Sequence, residues 1–135
     1  MIWLLDTNTC VDYLRRPHGR VGRRLTQAHL ADIAVCAVVK AELYFGALNS
    51  GEPVWAWRQV HEFLGPLRSY PFDDGAAEAY ARLRIELARK GTPIGPHDLL
   101  IASIALANGL VLVTHNVREY QRVAGLRLED WQAAS

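Results

Sequence analysis

Short apolar stretches alternate with longer segments of helical periodicity along the whole chain. The stretches IWLL (2–5), DIAVCAV (32–38) and LVLVTHN (110–116) have apolar centres without alternation, which is typical of strands buried on both faces. RSYPF (68–72) and LRLEDW (126–131) are shorter candidate strands. Because helical segments separate these strands, we expect an α/β fold of three layers, α/β/α, with a central parallel sheet of four to five strands.

Residue types that begin and end helices delimit the helical segments. The segment DDGAAEAYARLRIELARKG (73–91) has an acidic start, a basic end and a closing glycine. In the segment 93–110 the helix begins at Pro96 and ends at Asn108 and Gly109. This helix is apolar almost all round, so we expect it to pack on both sides. Further helices are predicted at 7–15, 18–29, 38–50 and 53–66.

Length and composition are those of one ordinary globular domain. The chain has 135 residues, half of them hydrophobic, and no linker or repeat divides it, so we expect a single domain over 1–135. Its apolar runs are too short to span a bilayer, and its first residues lack the features of a secretory leader. Cys10 and Cys36 form no CxxC pattern, which favours reduced thiols and a cytoplasmic protein.

The distribution of charge is more informative than the net charge of +1. Residues 15–24, RRPHGRVGRR, contain a block of arginines, whose planar guanidinium groups match phosphate oxygens. A solvated helix face explains such a block equally simply, and taken alone we favour that explanation. The arginines are Arg15, Arg16, Arg20, Arg23 and Arg24.

Polar side chains directly follow two of the predicted strands. Asp6 comes after IWLL, and Thr114, His115 and Asn116 end the stretch LVLVTHN. Ligands of parallel sheets collect at the carboxyl ends of strands, so these positions are candidates for a site. Simpler explanations are a helix N-cap for Asp6, worth about 1 kcal/mol, and a turn or cap for Asn116. We interpret His97 and His115 as surface or hydrogen-bonding residues without a catalytic role.

Two further carboxylates fall where helices should bury apolar side chains. Glu42 interrupts the face of helix 38–50 that we predict to be buried. A buried, unpaired carboxylate is costly, so either a bound cation or an arginine from another helix should neutralise Glu42. Asp98 would complement the dipole of its own helix, but we expect it to face the same cleft as Asp6. The rest of the Glu42 face is Val38, Val39, Phe45, Gly46 and Asn49.

These candidates share one kind of metal chemistry. Asp6, Glu42, Asp98 and Asn116 would supply three carboxylates and an amide, with no cysteine or histidine ligand. Hard oxygen ligands select Mg²⁺ or Mn²⁺ over Zn²⁺. A carboxylate cluster open to phosphates is the arrangement of metal-dependent nucleases, in which the metal polarises the phosphate and activates a water. One or two ions are both compatible with this set.

Four segments resemble the successive motifs of PIN-domain ribonucleases and, more narrowly, of the VapC toxins of bacterial toxin–antitoxin pairs. They are LLDTNTCVDYL, VVKAELYFGA, ARKGTPIGPHDLLIASIA and LVTHNVREYQRVAGLRLEDW, and their order and spacing agree over nearly the entire chain. The resemblance implies a compact PIN-like α/β/α domain, a magnesium site of Asp6, Glu42 and Asp98, and endonucleolytic cleavage of RNA. It makes tRNA the first substrate class to test, and it favours RNA binding by the arginine block.

The resemblance also implies roles for residues beside the carboxylates. Thr7 and Asn8 match positions that orient the first aspartate or its waters, and Thr114 matches a position at the rim of the site. Many PIN domains carry a fourth acidic residue where this chain has Asn116, whose amide can still contact a water or a metal. Glu119 would face the same site if NVREY is helical.

A small antitoxin and a homodimer are the partners that the resemblance implies. The antitoxin tail would occupy a groove and offer an arginine to the carboxylates. Trp55, Trp57 and Phe63, in EPVWAWRQVHEFLG, could line this groove or a homodimer face. For Trp55 and Trp57 individually, core packing is the explanation we favour.

Two other functions compete with the ribonuclease. A phosphohydrolase with an aspartyl nucleophile would also place an aspartate after the first strand, but it commonly needs a second aspartate where this chain has Asn8. A non-catalytic RNA-binding or regulatory domain could keep the fold without turnover, and Asn116 is its only support. Magnesium-dependent cutting of RNA would separate the ribonuclease from both.

Overall fold

A computed structural model describes residues 1–134 and contains one five-stranded sheet. All strand pairs are parallel, and the strand order is β3-β2-β1-β4-β5. The predicted α/β fold class is therefore confirmed. The strands are β1 (Trp3–Leu5), β2 (Ile33–Cys36), β3 (Arg68–Tyr70), β4 (Val111–Val113) and β5 (Leu128–Glu129).

Seven helices connect the strands within these described residues. Each predicted helix is present with ends within three residues of the predicted ones, and NVREY does form a short helix. A 3-10 turn at Leu30–Asp32, before β2, was not predicted. The helices are α1 (Thr7–Arg15), α2 (Arg20–Gln27), α3 (Ala37–Leu48), α4 (Pro53–Leu64), α5 (Asp74–Lys90), α6 (Pro96–Asn108) and α7 (Val117–Tyr120).

The core is built from the central strands and from the buried faces of the helices, above all of α6. Strands β2 and β4 are buried at every position, and α6 has an unbroken buried run from Ile101 to Ala105. This run covers every side of the helix, as expected for a helix that packs on both sides. Helix α6 ends at Gly109, whose φ of 64° is a left-handed conformation that glycine adopts without steric cost.

Helix α3 buries a different face from the one predicted. Its buried positions are Val39, Leu43 and Ala47, at a spacing of four residues. Phe45, predicted to be buried, is 68% exposed. Residues two apart lie about 200° apart around a helix, so burying Leu43 turns Phe45 to the opposite side. Glu42 consequently lies at the border of the buried stripe and is half-buried.

Core packing was also the wrong expectation for Trp55, which is 58% exposed. Trp57 is partly exposed as well and packs on His61 and Tyr44, with ring centroids 4.5 and 5.1 Å away. Trp55 and Trp57 lie near the start of α4, whose buried residues, Val60 and Leu64, come later in the helix.

The order of the strands fixes where a site can form. The chain runs from β1 outward through β2 to β3, and then returns to place β4 on the other side of β1. The carboxyl ends of β1 and β4 are in register, with Leu5 opposite Val113. Side chains that follow these two strands therefore meet at one edge, at the point where the order of the strands reverses.

Within residues 1–134 no helix is long and apolar enough to cross a membrane.

Candidate functional site

Asp6 lies directly after β1 and has two structural roles. It is the N-cap of α1, where its Oδ1 accepts a hydrogen bond from the Thr9 backbone N–H at 2.8 Å. It is also only 5% exposed. Burial raises the pKa of Asp6, the negative charge of Glu42 adds to the rise, and the Thr114 and Thr9 hydroxyls oppose it. The cap is thus a carboxylate held in a place that disfavours its charge.

Glu42 reaches the same edge from α3. The Thr7 hydroxyl donates to Glu42 Oε1 at 2.7 Å, and His97 Nδ1 lies 3.4 Å from Oε2. Within residues 1–134, no lysine or arginine comes within ion-pair distance of Glu42. The arginine considered from the sequence is therefore not its neighbour, and His97 takes that place. Thr7 thus contacts Glu42 directly, and its expected role towards Asp6 or its waters stays a prediction.

Asp98 faces the cluster from the first turn of α6. Its Oδ1 accepts a hydrogen bond from the phenol of Tyr120 at 2.9 Å, and Tyr120 is only 1% exposed. Burial raises the pKa of Asp98, and the charges of Glu119, Asp6 and Glu42 raise it further, against the effect of the phenol. The charges of these carboxylates therefore act on one another at this edge of the sheet.

Glu119 is the fourth carboxylate of the cluster, and it comes from α7. Its Oε1 accepts the Gly95 backbone N–H, and its Oε2 accepts the side-chain N–H of Asn116, each at 2.7 Å. Asn116 itself is fixed by its backbone N–H, which donates to the Thr114 hydroxyl at 2.9 Å. The amide of Asn116 thus holds Glu119 in place. The sequence feature that indicates this contact is the spacing of three residues between Asn116 and Glu119, which places their side chains side by side on a helix.

Gly95 lies against the same pair of carboxylates. A methyl group at this position would come 3.5 Å from Asp98 Oδ2 and 3.8 Å from Glu119 Oε1. These are ordinary van der Waals distances, so a methyl group would fit at this position, but it would lie against Asp98 Oδ2, which glycine leaves without that neighbour. Asp98 Oδ1 is already occupied by the Tyr120 phenol.

The donor set fits a hard divalent cation. Asp6, Glu42, Asp98 and Glu119 offer oxygen only, and in the part of the chain described no arginine or lysine forms an ion pair with any of them. No three His, Cys, Asp or Glu side chains in this part converge closely enough to hold an ion by themselves. Mg²⁺ usually binds through one or two carboxylates and keeps several waters, so it does not need such a cage.

The arginine block lies beside this edge of the sheet, and its members make different contacts. A cleft of about 390 Å³ contains Asn8 and Asn116 together with Arg15 and Arg16, and it adjoins a second cleft lined by Arg20 and Arg23. Arg15 and Arg16 therefore share a cleft with Asn8 and Asn116, whereas Arg20 and Arg23 line only the adjoining cleft.

Arg24, the fifth arginine of the block, is engaged elsewhere. Its Nη2 donates to Glu129 at 3.1 Å, and its guanidinium lies over the Trp131 ring, 4.9 Å from the centroid. Because these contacts tie α2 to the C-terminal segment, they give Arg24 a structural explanation.

A largely apolar groove opens on the other side of Glu42. Its volume is about 440 Å³, and α1, α3 and α4 form its walls. Trp55 lines it, whereas Trp57 and Phe63 do not; Phe63 packs on Tyr13 with ring centroids 5.0 Å apart. The residues of this groove are Val11, Leu14, Arg15, Glu42, Leu43, Gly46, Ala47, Trp55, Ala56, Gln59 and Val60.

Comparisons with known proteins agree with this architecture. The PIN domain family model matches residues 3–126. The tRNA(fMet)-specific endonuclease VapC of Salmonella typhimurium is 37% identical over 129 residues, which are 96% of this chain and 97% of that protein. Ribonuclease VapC2 of Rickettsia felis is 37% identical over 132 residues, which are 97% of this chain and 98% of that protein.

Solved structures give the same result. The crystal structure of DNA-bound VapBC from Salmonella typhimurium contains a chain that is 37% identical and superposes with a TM-score of 0.92, over 97% of this chain and 98% of that one. A chain of Rickettsia felis VapBC2, bound to a promoter DNA fragment, is 36% identical with a TM-score of 0.90, over 97% and 99%. The resemblance noted from the sequence motifs is thereby confirmed, and this chain belongs to the VapC toxins of the PIN-domain family.

Proposed function

We propose that this protein is a magnesium- or manganese-dependent endoribonuclease that cleaves structured RNA, tRNA first of all, as the toxin of a toxin–antitoxin pair. The observation that carries the proposal is the set of four carboxylates, Asp6, Glu42, Asp98 and Glu119, at one sheet edge without an arginine or lysine partner among the described residues. Such a set is poorly stable when ionised unless a cation joins it.

Asp6 and Asp98 are the residues we assign to hold the ion. Asp6 Oδ1 accepts the Thr9 N–H and Asp98 Oδ1 accepts the Tyr120 phenol, and because an ionised carboxylate has about four lone-pair sites, each would keep acceptor capacity for an ion. Glu42, oriented by Thr7, and Glu119, oriented by Gly95 and Asn116, would hold water molecules between the ion and the RNA. When bound, the metal supplies Lewis-acid polarisation of the phosphate and makes a water easier to deprotonate.

Hydrolysis by an in-line water would leave a 5′-phosphate and a 3′-hydroxyl. The two cysteines, Cys10 and Cys36, are buried, and burial raises the pKa of both thiols, so neither is an available nucleophile. Asn8 occupies the place where an aspartyl phosphohydrolase would carry its second aspartate, and it is exposed in the cleft. We therefore set the phosphohydrolase aside. The non-catalytic alternative loses its support, because Asn116 serves to hold Glu119.

The RNA class is inferred from the relatives and from charge. The Salmonella relative is named for tRNA(fMet), and the arginines beside the carboxylates would attract a polyanion that the site itself repels. Folded RNA is recognised largely by shape and exposed loops, so we propose tRNA as the class without naming one species.

An antitoxin of the VapB type is the proposed protein partner, because the similar solved structures are VapBC complexes. The apolar groove beside Glu42 has the size and composition for an antitoxin segment, and Arg15 and Trp55 line it. The homodimer expected from the resemblance stays a prediction.

The decisive experiment incubates purified protein with bulk tRNA under three conditions: with Mg²⁺, with Mn²⁺ and with a chelator. Asp98→Asn is tested beside Asp74→Asn, which changes an exposed carboxylate in the first turn of α5. We expect cleavage with either metal, none with chelator, at least a hundredfold loss in Asp98→Asn and no loss in Asp74→Asn. Cutting that survives chelation, or that is equal in the two variants, would refute the proposal.

A further inference from the structure

The arginines and His115 line a continuous polar path that leads away from the carboxylates. The cleft of about 390 Å³ reaches Asn8 and Asn116 at the site, and a neighbouring cleft of about 370 Å³ reaches Gly19, Arg20 and Arg23. The two clefts have four lining residues in common, so they form one surface. The shared residues are Asp12, Arg16, His115 and Gln132.

The charge of this path is positive, in contrast to the site where it begins. Four arginines line it, and Asp12, the one acidic lining residue in the part of the chain that the structure describes, is paired with Arg16. Arg20 donates through Nη1 to the Gln132 carbonyl at 3.1 Å, which fixes its guanidinium and leaves further N–H groups for a ligand. Arg23 is exposed and forms no ion pair within residues 1–134.

His115 occupies the middle of the path and is held there by another side chain. Its Nδ1 lies 3.0 Å from Asp130 Oδ2, and Asp130 is itself fixed by the Gln132 backbone N–H, which donates to Oδ1 at 2.9 Å. The imidazole is nevertheless 62% exposed. Its other nitrogen, Nε2, has no hydrogen-bond partner in the described part of the chain. A ring fixed at one nitrogen presents the other at a defined position to a ligand.

We propose that this path binds the phosphodiester backbone of the RNA strand beside the cleaved bond, and that His115 binds there as the imidazolium, which donates Nδ1–H to Asp130 and Nε2–H to a phosphate oxygen. The inference rests on the proposed ribonuclease function. An RNA backbone suits the path better than a peptide does, because the donors are arginine forks in a row that is continuous with the candidate active site. His115 is thus a substrate-binding residue, with Asp130 as its positioning residue.

The test measures binding of fluorescently labelled bulk tRNA by anisotropy, in chelator, so that the RNA stays intact. His115→Ala and Arg23→Ala are compared with His29→Ala and Arg89→Ala, which remove exposed side chains outside both clefts. We expect His115→Ala and Arg23→Ala each to weaken tRNA binding about three- to tenfold. Each should also reduce the slope of log K against log salt concentration by about one. The two control variants should change neither the affinity nor the slope. His115→Arg should restore most of the affinity.

Unchanged tRNA affinity in His115→Ala would overturn the role of His115, and unchanged affinity in both alanine variants would overturn the path as a whole. A second arm uses a DNA duplex of similar length. Because phosphate contacts act on either nucleic acid, weakening on DNA with unchanged affinity for tRNA is the outcome that would overturn the assignment to RNA. The outcome is independent of the proposed catalysis: a protein that binds tRNA through His115 but never cuts it with Mg²⁺ would refute the ribonuclease and keep the binding path.

Discussion

At the scale of single residues, Asp6 shows how one side chain can stabilise a helix and still carry an unfavourable charge. Its cap to Thr9 favours folding, whereas burial raises its pKa above that of the unfolded chain. A carboxyl group with a raised pKa in the folded state favours folding below its unfolded pKa, and this contribution disappears as the pH rises through the raised value. Without metal, Asp6 therefore opposes folding at neutral pH relative to acid.

The substitution Asp6→Asn separates these two effects. Asparagine caps helices about as well as aspartate does, but it carries no charge. We expect Asp6→Asn to raise the melting temperature of the metal-free protein by a few degrees at pH 7 and by less as the pH falls towards 4. Added Mg²⁺ should stabilise the wild type and leave the variant nearly unchanged.

Differential scanning calorimetry with and without chelator measures both effects. Asp73→Asn is the matched control, because Asp73 caps α5 in the same way, accepting the Ala76 N–H at 3.0 Å. Asp73→Asn should change neither the pH dependence nor the response to Mg²⁺. A melting temperature of Asp6→Asn below that of the wild type at pH 7, with chelator present, would contradict the argument.

At the scale of elements, the short helix α7 positions several side chains of the site. Helix α7 supplies Glu119 and the buried phenol of Tyr120, and its N-cap Asn116 holds Glu119. One short helix therefore orients two of the four carboxylates. The phenol is a positioning group for Asp98, since it fixes Oδ1 and leaves Oδ2 uncovered beside Gly95.

Tyr120→Phe removes that hydrogen bond and keeps the buried ring. We expect Mn²⁺ affinity, measured by electron paramagnetic resonance, to fall about tenfold, and tRNA cleavage to fall at least as much at subsaturating metal. Tyr80→Phe is the control, because the Tyr80 hydroxyl only accepts a hydrogen bond from Arg84 on the surface of α5. Equal Mn²⁺ affinity in the two variants would show that Tyr120 is only a packing residue.

The sequence predicts elements well where residue chemistry marks their ends. Pro96 and Gly109 delimit α6, and the acidic start and closing Gly91 delimit α5, because these residues act through local backbone geometry. The buried face of α3 was wrong because the helix is apolar on several sides, and only packing against the sheet selects Leu43 over Phe45.

The candidate site was predictable in its residue types and less so in its contacts. Asp6, Glu42 and Asp98 were candidates from their positions alone, and the structure brings them to one edge. Their neighbours depend on long-range geometry: His97 beside Glu42 and the phenol of Tyr120 on Asp98 could not follow from local patterns.

At the scale of the whole molecule, the site is assembled where the order of the strands reverses, at β1. Asp6 and Glu119 are more than a hundred residues apart in the sequence, yet the parallel pairing of β1 and β4 brings the segments that follow them to one edge. The same edge is bounded by two unlike surfaces, the basic path and the apolar groove, and Arg15 lines both. RNA and an antitoxin segment are thus expected to approach the carboxylates along two different, adjoining surfaces.

This geometry predicts that a single substitution in the groove can make the protein resistant to inhibition by its antitoxin without abolishing RNA cleavage. Gly46 lines the groove on α3, and a Cβ atom added there meets no atom within 4 Å, so we expect Gly46→Leu to extend into the groove without a clash at the backbone. Leucine is also the better helix former, by up to about 1 kcal/mol. We expect tRNA cleavage by the free variant to stay within about twofold of wild type, whereas the concentration of cognate antitoxin needed for half inhibition rises at least tenfold.

The control is Gly51→Leu, which adds the same side chain in an exposed turn outside the groove. It should be inhibited like the wild type. If Gly46→Leu is inhibited equally well, the antitoxin does not use the groove, and the basic path becomes the surface to test next. The groove and the path are walled by different residues apart from Val11 and Arg15, so single substitutions can separate inhibition by the antitoxin from binding of the RNA.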